Sequence, residues 1–360
     1  MTEKLIDVVD TAAEARALSA PPLLIVDVLT DYLDTHGFGS GPVRWDRIGE
    51  GQSNVTFRIR RGDLDVVLRR GPRPPIPKST HDMVREAKIQ KVLGTQGVAV
   101  PTILHVCEDE SVLGVPFYIM DFVPGTVVTD TLPDFLAEVA DRRALSEALV
   151  DRLVDLHSVD VTVAEVAALG RPDGYLERQV KLFASLWEKN TQRSLPQVSR
   201  LGEWLAANIP TTQRHAVVHG DYRAGNAMIA SSTPVEVAAI LDWEMSTLGD
   251  PLADLGYFLV TYTDNEHPRT VMDLTPVTAG EGFLTRAELA ARYQEKTGLD
   301  LSDLPWYEAF ALWKAAIFSE AIYTRWLNGE APSAGDFTGS LETGVPELIA
   351  AAEAIAATVV

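Results

Sequence analysis

HGDYRAGNAMIASSTPVEVAAILDWEMSTLGDPLADLG, residues 219–256, sets two short apolar runs, AMIA and VEVAAIL, on either side of a Ser-Ser-Thr-Pro turn. Asp221, Asn226 and Asp242 hang on the ends of those runs. Asp221 follows the apolar VVHG, so its carboxylate is expected to project from a loop. Asn226, five residues on, offers a neutral carbonyl oxygen, and Asp242 closes the next strand. A carboxylate placed to orient and deprotonate a hydroxyl, beside two hard oxygen ligands, is the small set of parts that phosphoryl transfer asks of a protein. Magnesium suits such a set, because it binds one or two carboxylates plus phosphates and keeps several waters.

HGDYRAGN followed by LDWE resembles the catalytic loop and metal-binding segment of the aminoglycoside phosphotransferase and choline kinase-like superfamily, which shares the protein-kinase fold. The resemblance implies that Asp221 is the catalytic base and that Asn226 and Asp242 hold Mg2+, with ATP as co-substrate. Asp250 and Asp254, in GDPLADLG, match family acids that brace the loop. Arg223 stands where protein kinases commonly carry a basic residue near the transferred group. Two readings of it stay open: a cation for charge developing on the γ-phosphate, or an ion-pair partner of Asp221.

Upstream, VRWDRIG, VTFRIR and DVVLRR alternate with the turns GEGQSN and RGD, the pattern of an antiparallel meander. Gly49 and Gly51 fall where a chain must approach phosphates closely, and Ser53 could add a backbone N–H or hydroxyl. GQSN with an aromatic close behind resembles the branch of the superfamily whose domains are attached to acyl-CoA dehydrogenases. The strand ending VVLRR sets Arg69 where the family has a phosphate-binding lysine, with Arg70 turned to the other side. Glu86, on the helical MVREAKIQKVL, matches its acidic partner. PFYIMDFVPG resembles the hinge strand, which implies Met120 at the back of an adenine pocket, with Asp121 C=O and Val123 N–H on the base edge.

These segments predict an α+β, bilobal protein-kinase-like fold. Residues 1–122 form a small antiparallel-sheet nucleotide lobe with a leader helix, and residues 123–360 a larger, mainly helical catalytic and acceptor lobe. Residues 1–20 show no strong period and read as a loose leader; LLIVDVLTDYLDTHG reads as a helix stopped by Gly37. Further helices are expected over 132–159, 287–296, 305–328 and 345–357, with VVHG, AMIA and VEVAAILDW as a β island. The late aromatics Trp306, Tyr307, Trp313, Tyr323 and Trp326 read as core. His81, His105 and His157 lack ligand-like spacing and read as ordinary structural or surface residues.

The chain has 360 residues, with 31 Lys and Arg against 51 Asp and Glu, a net charge of −20. Such a chain repels phosphate backbones, so nucleic-acid binding is not expected. A single cysteine, Cys107, excludes an intrachain disulfide and a cysteine-built zinc site. No apolar run reaches the roughly 20 residues of a membrane span, and the first residues lack the order of a signal peptide. A cytoplasmic protein with no membrane partner is expected; nothing fixes its oligomeric state. The reading is therefore an ATP- and magnesium-dependent phosphotransferase acting on a hydroxyl of a small molecule, aminoglycoside-like or of hydroxyacyl type. A protein substrate is not expected, because no DFG…APE activation segment follows Asp242. Arg69 in place of lysine points to the alternative, a nucleotide-binding regulator (pseudokinase) without turnover.

Overall fold

The computed structural model describes residues 6–49, 54–74, 81–232, 234–330 and 336–359. The chain divides into two compact units, Met1–Val123 and Pro124–Val360.

The first unit opens with β1 (Val8–Val9), α1 (Ala12–Arg16), β2 (Leu24–Ile25) and α2 (Val26–Thr35). β1 and β2 pair in parallel, Val8 opposite Leu24. Thr11 and Glu14 close a capping box on α1. Described residues of the stretch read as a loose leader are thus folded against the unit, and the buried Leu23 and Leu24 fix them there. Two-residue strands are too short to show a period. There follow β3 (Arg44–Ile48), β4 (Val55–Arg61), β5 (Leu64–Arg70), α3 (Met83–Thr95), β6 (Ile103–Cys107), α4 (Glu110–Leu113) and β7 (Phe117–Asp121). The five strands from β3 onward form one antiparallel sheet in the order β3-β4-β5-β7-β6.

Alternation along β5 and β7 gives this sheet two apolar faces. Val66, Leu68 and Ile119 pack with Leu29 and Leu33 of α2 on one side. Val67, Tyr118 and Met120 pack with Met83 and Ala87 of α3 on the other. Cys107 is a buried free thiol on the α2 side.

The second unit comprises α5 (Val139–His157), α6 (Ala164–Ala167), α7 (Tyr175–Asn190), α8 (Pro196–Ala207), β8 (Ala216–Val218), β9 (Ala227–Ile229), β10 (Val237–Ile240), β11 (Thr247–Gly249), α9 (Leu252–Thr261), α10 (Arg286–Thr297), α11 (Leu304–Leu327) and α12 (Asp336–Ala356). β9 and β10 pair antiparallel, as do β8 and β11. Trp306, Tyr307, Trp313 and Tyr323 of α11 are buried. α9 crosses α11 at Gly256, where a Cβ would lie 2.8 Å from the backbone carbon of Tyr307. Only glycine admits that approach. α12 starts nine residues before the expected 345 and runs through Pro346. Leu341, Val345, Leu348 and Ala352 are completely buried along it, so packing overrides local propensity. Among the described residues no helix is long and apolar enough to cross a membrane.

Candidate active site

The loop between β8 and β9 carries Asp221 and is tied down at nearly every residue. Asp254, in the first turn of α9, accepts the backbone N–H of His219 at 2.6 Å and of Gly220 at 2.8 Å. The His219 ring bridges two segments: Nε2 donates to Leu241 O (2.9 Å), and Nδ1 accepts the Asp221 N–H (3.2 Å). Tyr222, buried, donates its hydroxyl to Leu149 O of α5 at 2.6 Å. Gly220 has φ +87°, and a Cβ there would sit 2.8 Å from Met245 Cβ, so glycine is required twice over.

Asn226 Nδ2 lies 2.8 Å from both the backbone oxygen and Oδ2 of Asp221. Both amide protons are thereby engaged, which leaves Oδ1 as the atom able to ligate a cation. The β9–β10 pairing continues with Leu241 N–H to Asn226 O at 2.8 Å, which brings Asp242 beside Asn226 along the chain. Asp242 has φ +67°, an uncommon left-handed geometry for a residue other than glycine. Such strain concentrates at functional sites. Among the described residues no group of three or more His, Cys, Asp or Glu could hold a metal. One amide oxygen and one or two carboxylates fit magnesium, which completes its shell with phosphate and water.

Arg223 Nε stands 3.6 Å from Asp221 Oδ1, both side chains about a quarter exposed (26% and 27%). Tyr257, on α9, meets Asp221 from another side. Burial and the Asp221 charge push its phenol well up, so it remains a neutral donor to that carboxylate.

Of the two acids expected to brace the loop, Asp254 bonds its backbone, whereas the hydrogen bonds of Asp250 run to α9 and α11, and the two carboxyls shift oppositely. Asp250 accepts Leu252 N–H (3.0 Å) and the Tyr307 hydroxyl (2.9 Å), yet burial still pushes its carboxyl up. Burial acts on Asp254 in the same sense, but the hydrogen bond of His157 and the Gly220 N–H carry it below the ordinary 3.8. His157 Nε2 lies 3.2 Å from Asp254, and its Nδ1 lies 2.7 Å from the Tyr293 hydroxyl. This buried relay from α10 through α5 to the loop was not legible in sequence, since His157 and Asp254 are 97 residues apart. Tyr257 had a signal, the aromatic that directly follows GDPLADLG.

In the first unit, Arg69 Nε lies 3.1 Å from Glu86 Oε1, on the α3 side of the sheet. Glu86 is 1% exposed. Arg70 does face the opposite side, but it is no bystander. It is completely buried and donates to the carbonyls of Leu23, Leu113 (3.0 Å) and Gly71 (2.9 Å). Burial pushes its guanidinium down to about 10. Gly49 has φ +76°, a conformation that favours glycine. Gly51 and Ser53 lie outside the described residues. Met120 is 8% exposed, and Asp121 ends β7 with its N–H on Thr102 O at 3.0 Å. Val123 is the last residue of the unit.

The family described as APH, Phosphotransferase enzyme family, matches residues 44–310. The curated mouse protein "Acyl-CoA dehydrogenase family member 10" is 34% identical over 347 residues, covering 94% of this chain and 32% of that protein. The chain thus spans about a third of that relative's length. A solved structure from Ralstonia eutropha, described as a candidate aminoglycoside phosphotransferase, is 29% identical with a TM-score of 0.75, covering 91% of this chain and 98% of the other. Spectinomycin phosphotransferase, solved with ADP and spectinomycin, shares the fold at 12% identity and TM-score 0.59, covering 91% of this chain and 98% of the other. With its antiparallel sheet, its helical second unit and the α+β kinase-like fold of these neighbours, the chain belongs to the phosphotransferase enzyme family.

Proposed function

We propose that the protein is an ATP- and Mg2+-dependent kinase that moves the γ-phosphoryl group to a hydroxyl of a small molecule. The observation that carries this reading is the Asp221–Asn226 pair, held in one loop with both amide protons of Asn226 on Asp221. On this reading Asp221 accepts the proton of the acceptor hydroxyl as its oxygen forms a bond to the γ-phosphorus. The bond from that phosphorus to the bridging oxygen breaks, and ADP leaves with the electron pair. Asn226 and Asp242 would hold Mg2+, which neutralises charge on the phosphates. Arg223 would share the charge that develops on the transferred group. Arg69, steadied by Glu86, would meet the α- and β-phosphates, and Gly49, Gly51 and Ser53 would lie over them. Met120, Asp121 and Val123 would receive the adenine.

Mg-ATP at millimolar concentration should raise the melting temperature by mass action, by about 2.7 kcal/mol of stability when nucleotide stands at about 100 times Kd. No shift with magnesium present would remove the kinase reading. The regulator alternative draws on Arg69, whose guanidinium is not interchangeable with an ammonium. ATP consumption in the presence of hydroxylated compounds separates the two readings.

Arg69 and Arg70 make a paired test of this assignment. Arg69→Ala should weaken nucleotide binding roughly ten- to a hundredfold, the worth of one charged hydrogen bond. Arg70→Ala should leave affinity intact but cost about 1–3 kcal/mol of stability for each buried carbonyl it orphans. Calorimetry and thermal melts on both variants decide. Nucleotide loss in Arg70→Ala without destabilisation would contradict the register.

A further inference from the structure

β3 (Arg44–Ile48) is an outer strand of the five-stranded sheet and pairs with β4 alone. The helices on the two faces pack over the inner strands: α2 over Val66, Leu68 and Ile119, and α3 over Val67, Tyr118 and Met120. Arg44, Trp45, Asp46 and Arg47 are left exposed, all four in a row. Among the described residues, no backbone hydrogen bond of residues 44–48 runs beyond the β4 ladder. Such a bare row of N–H and C=O groups is a template for another strand.

The side chains of β3 say which strand fits. Trp45 is 38% exposed, although its ring meets that of Phe57 edge-on at 6.0 Å and it stands opposite Ile59, on the α2 face. Arg44 and Asp46 flank it on the other face. Arg47 is paired with Asp7 and Asp46 with Arg60, whereas Arg44 has no ion-pair partner among the described residues. β3 therefore shows solvent a braced tryptophan with an open base on one side and an exposed acid on the other. Exposed aromatic and arginine side chains are what interfaces concentrate.

We propose that β3 pairs antiparallel with β3 of a second copy of this chain, centred on Trp45, so that the two sheets join across a two-fold axis. An axis perpendicular to the sheet keeps every residue on its own face. With Trp45 on that axis the two indoles meet, and Arg44 of each copy stands opposite Asp46 of the other. The second oxygen of each Asp46 carboxylate stays with Arg60 of its own chain. Centring on Arg44, Asp46 or Arg47 would instead set two like charges against each other, which destabilises a strand pair. Of the four exposed positions only Trp45 gives a self-complementary register. Pro42 offers no N–H and stops the ladder at one end, and Gly49, with φ +76°, turns the chain away at the other. This pairing needs no part of the phosphotransferase reading.

Sedimentation of the full chain over a concentration series tests the pairing through a charge exchange. Wild-type protein should pass from monomer to dimer as concentration rises. Arg44→Asp and Asp46→Arg should each weaken the dimer at least roughly tenfold, because each variant alone places like charges opposite one another twice. An equimolar mixture of the two variants should dimerise again, since each strand then brings the charge that the other lacks at both positions. Trp45→Ala should weaken the dimer without rescue by either partner. All these side chains are exposed, so the variants should melt close to wild type. The proposal falls if wild type stays monomeric up to about 1 mM, the weakest association worth the name. It also falls if the single variants dimerise as wild type does, which would put the interface elsewhere, or if their mixture stays monomeric.

Discussion

Asp221→Asn is expected to lower turnover by roughly 10²–10⁴, the usual worth of a positioned acid–base group, with Mg-ATP affinity nearly unchanged. That is about 2.7–5.5 kcal/mol of transition-state stabilisation. The substitution is a clean one because the loop does not depend on this charge. His219 and Gly220 are held by Asp254, Tyr222 by Leu149, and Asn226 also by the Asp221 backbone oxygen. Asn at this position keeps an oxygen for the Asn226 amide and loses only the basic carboxylate. Asp242→Asn is the informative comparison. On the proposed assignment it touches the metal, so it should impair magnesium-dependent nucleotide binding as well as turnover, and added magnesium should recover part of the loss. Equal loss of nucleotide affinity in both variants, or full turnover in Asp221→Asn, would reverse the roles. Nucleotide titrations at several magnesium concentrations, with acceptor turnover measured alongside, supply both readouts.

The segment that holds these residues was legible because its chemistry is local. Asp221, Asn226 and Asp242 span 22 residues of one strand–loop–strand–turn unit, and the hydrogen bonds that arrange them run within that unit. The period of two along β5 likewise separates Arg69 from Arg70. What period cannot give is the acceptor that a buried side chain finds elsewhere. Arg70 enters the core because Leu23 and Leu113, more than 40 residues away in either direction, turn carbonyls toward it. β11 escaped notice because Thr247–Gly249 is three residues long and exists only by pairing with β8. The early start of α12 escaped because Gly339, Gly344 and Pro346 argue locally against a helix that its neighbours nonetheless bury.

Asp254→Asn should destabilise the protein by about 3–5 kcal/mol, the cost of breaking a buried ionic network from one side. For a unit of this size that is roughly 10 °C in melting temperature, at about 2–4 °C per kcal/mol. The reason lies in what each carboxylate oxygen does. One accepts Gly220 N–H and the other accepts His219 N–H and faces His157, so an amide placed there must point a donor at a donor. The pH dependence carries an independent sign. The Asp254 carboxyl is held below its ordinary 3.8, so the unfolded chain binds its proton more readily than the native one. Its stabilisation is present above about pH 4 and is lost as pH falls through the lower native value. Asp254→Asn should therefore flatten the acid limb of the stability curve as well as lower its plateau. Asp250 is the internal control. Burial raises its carboxyl, so its charge is a burden on the native state that grows as pH rises. Asp250→Asn keeps an oxygen for Leu252 N–H and offers an amide to a Tyr307 hydroxyl that can turn to accept it. It should cost much less, leave the acid limb steep and preserve turnover better. Thermal melts from pH 3 to pH 7 on both variants compare the two directly, and equal losses would mean that the loop is braced by buried packing rather than by the charge of Asp254.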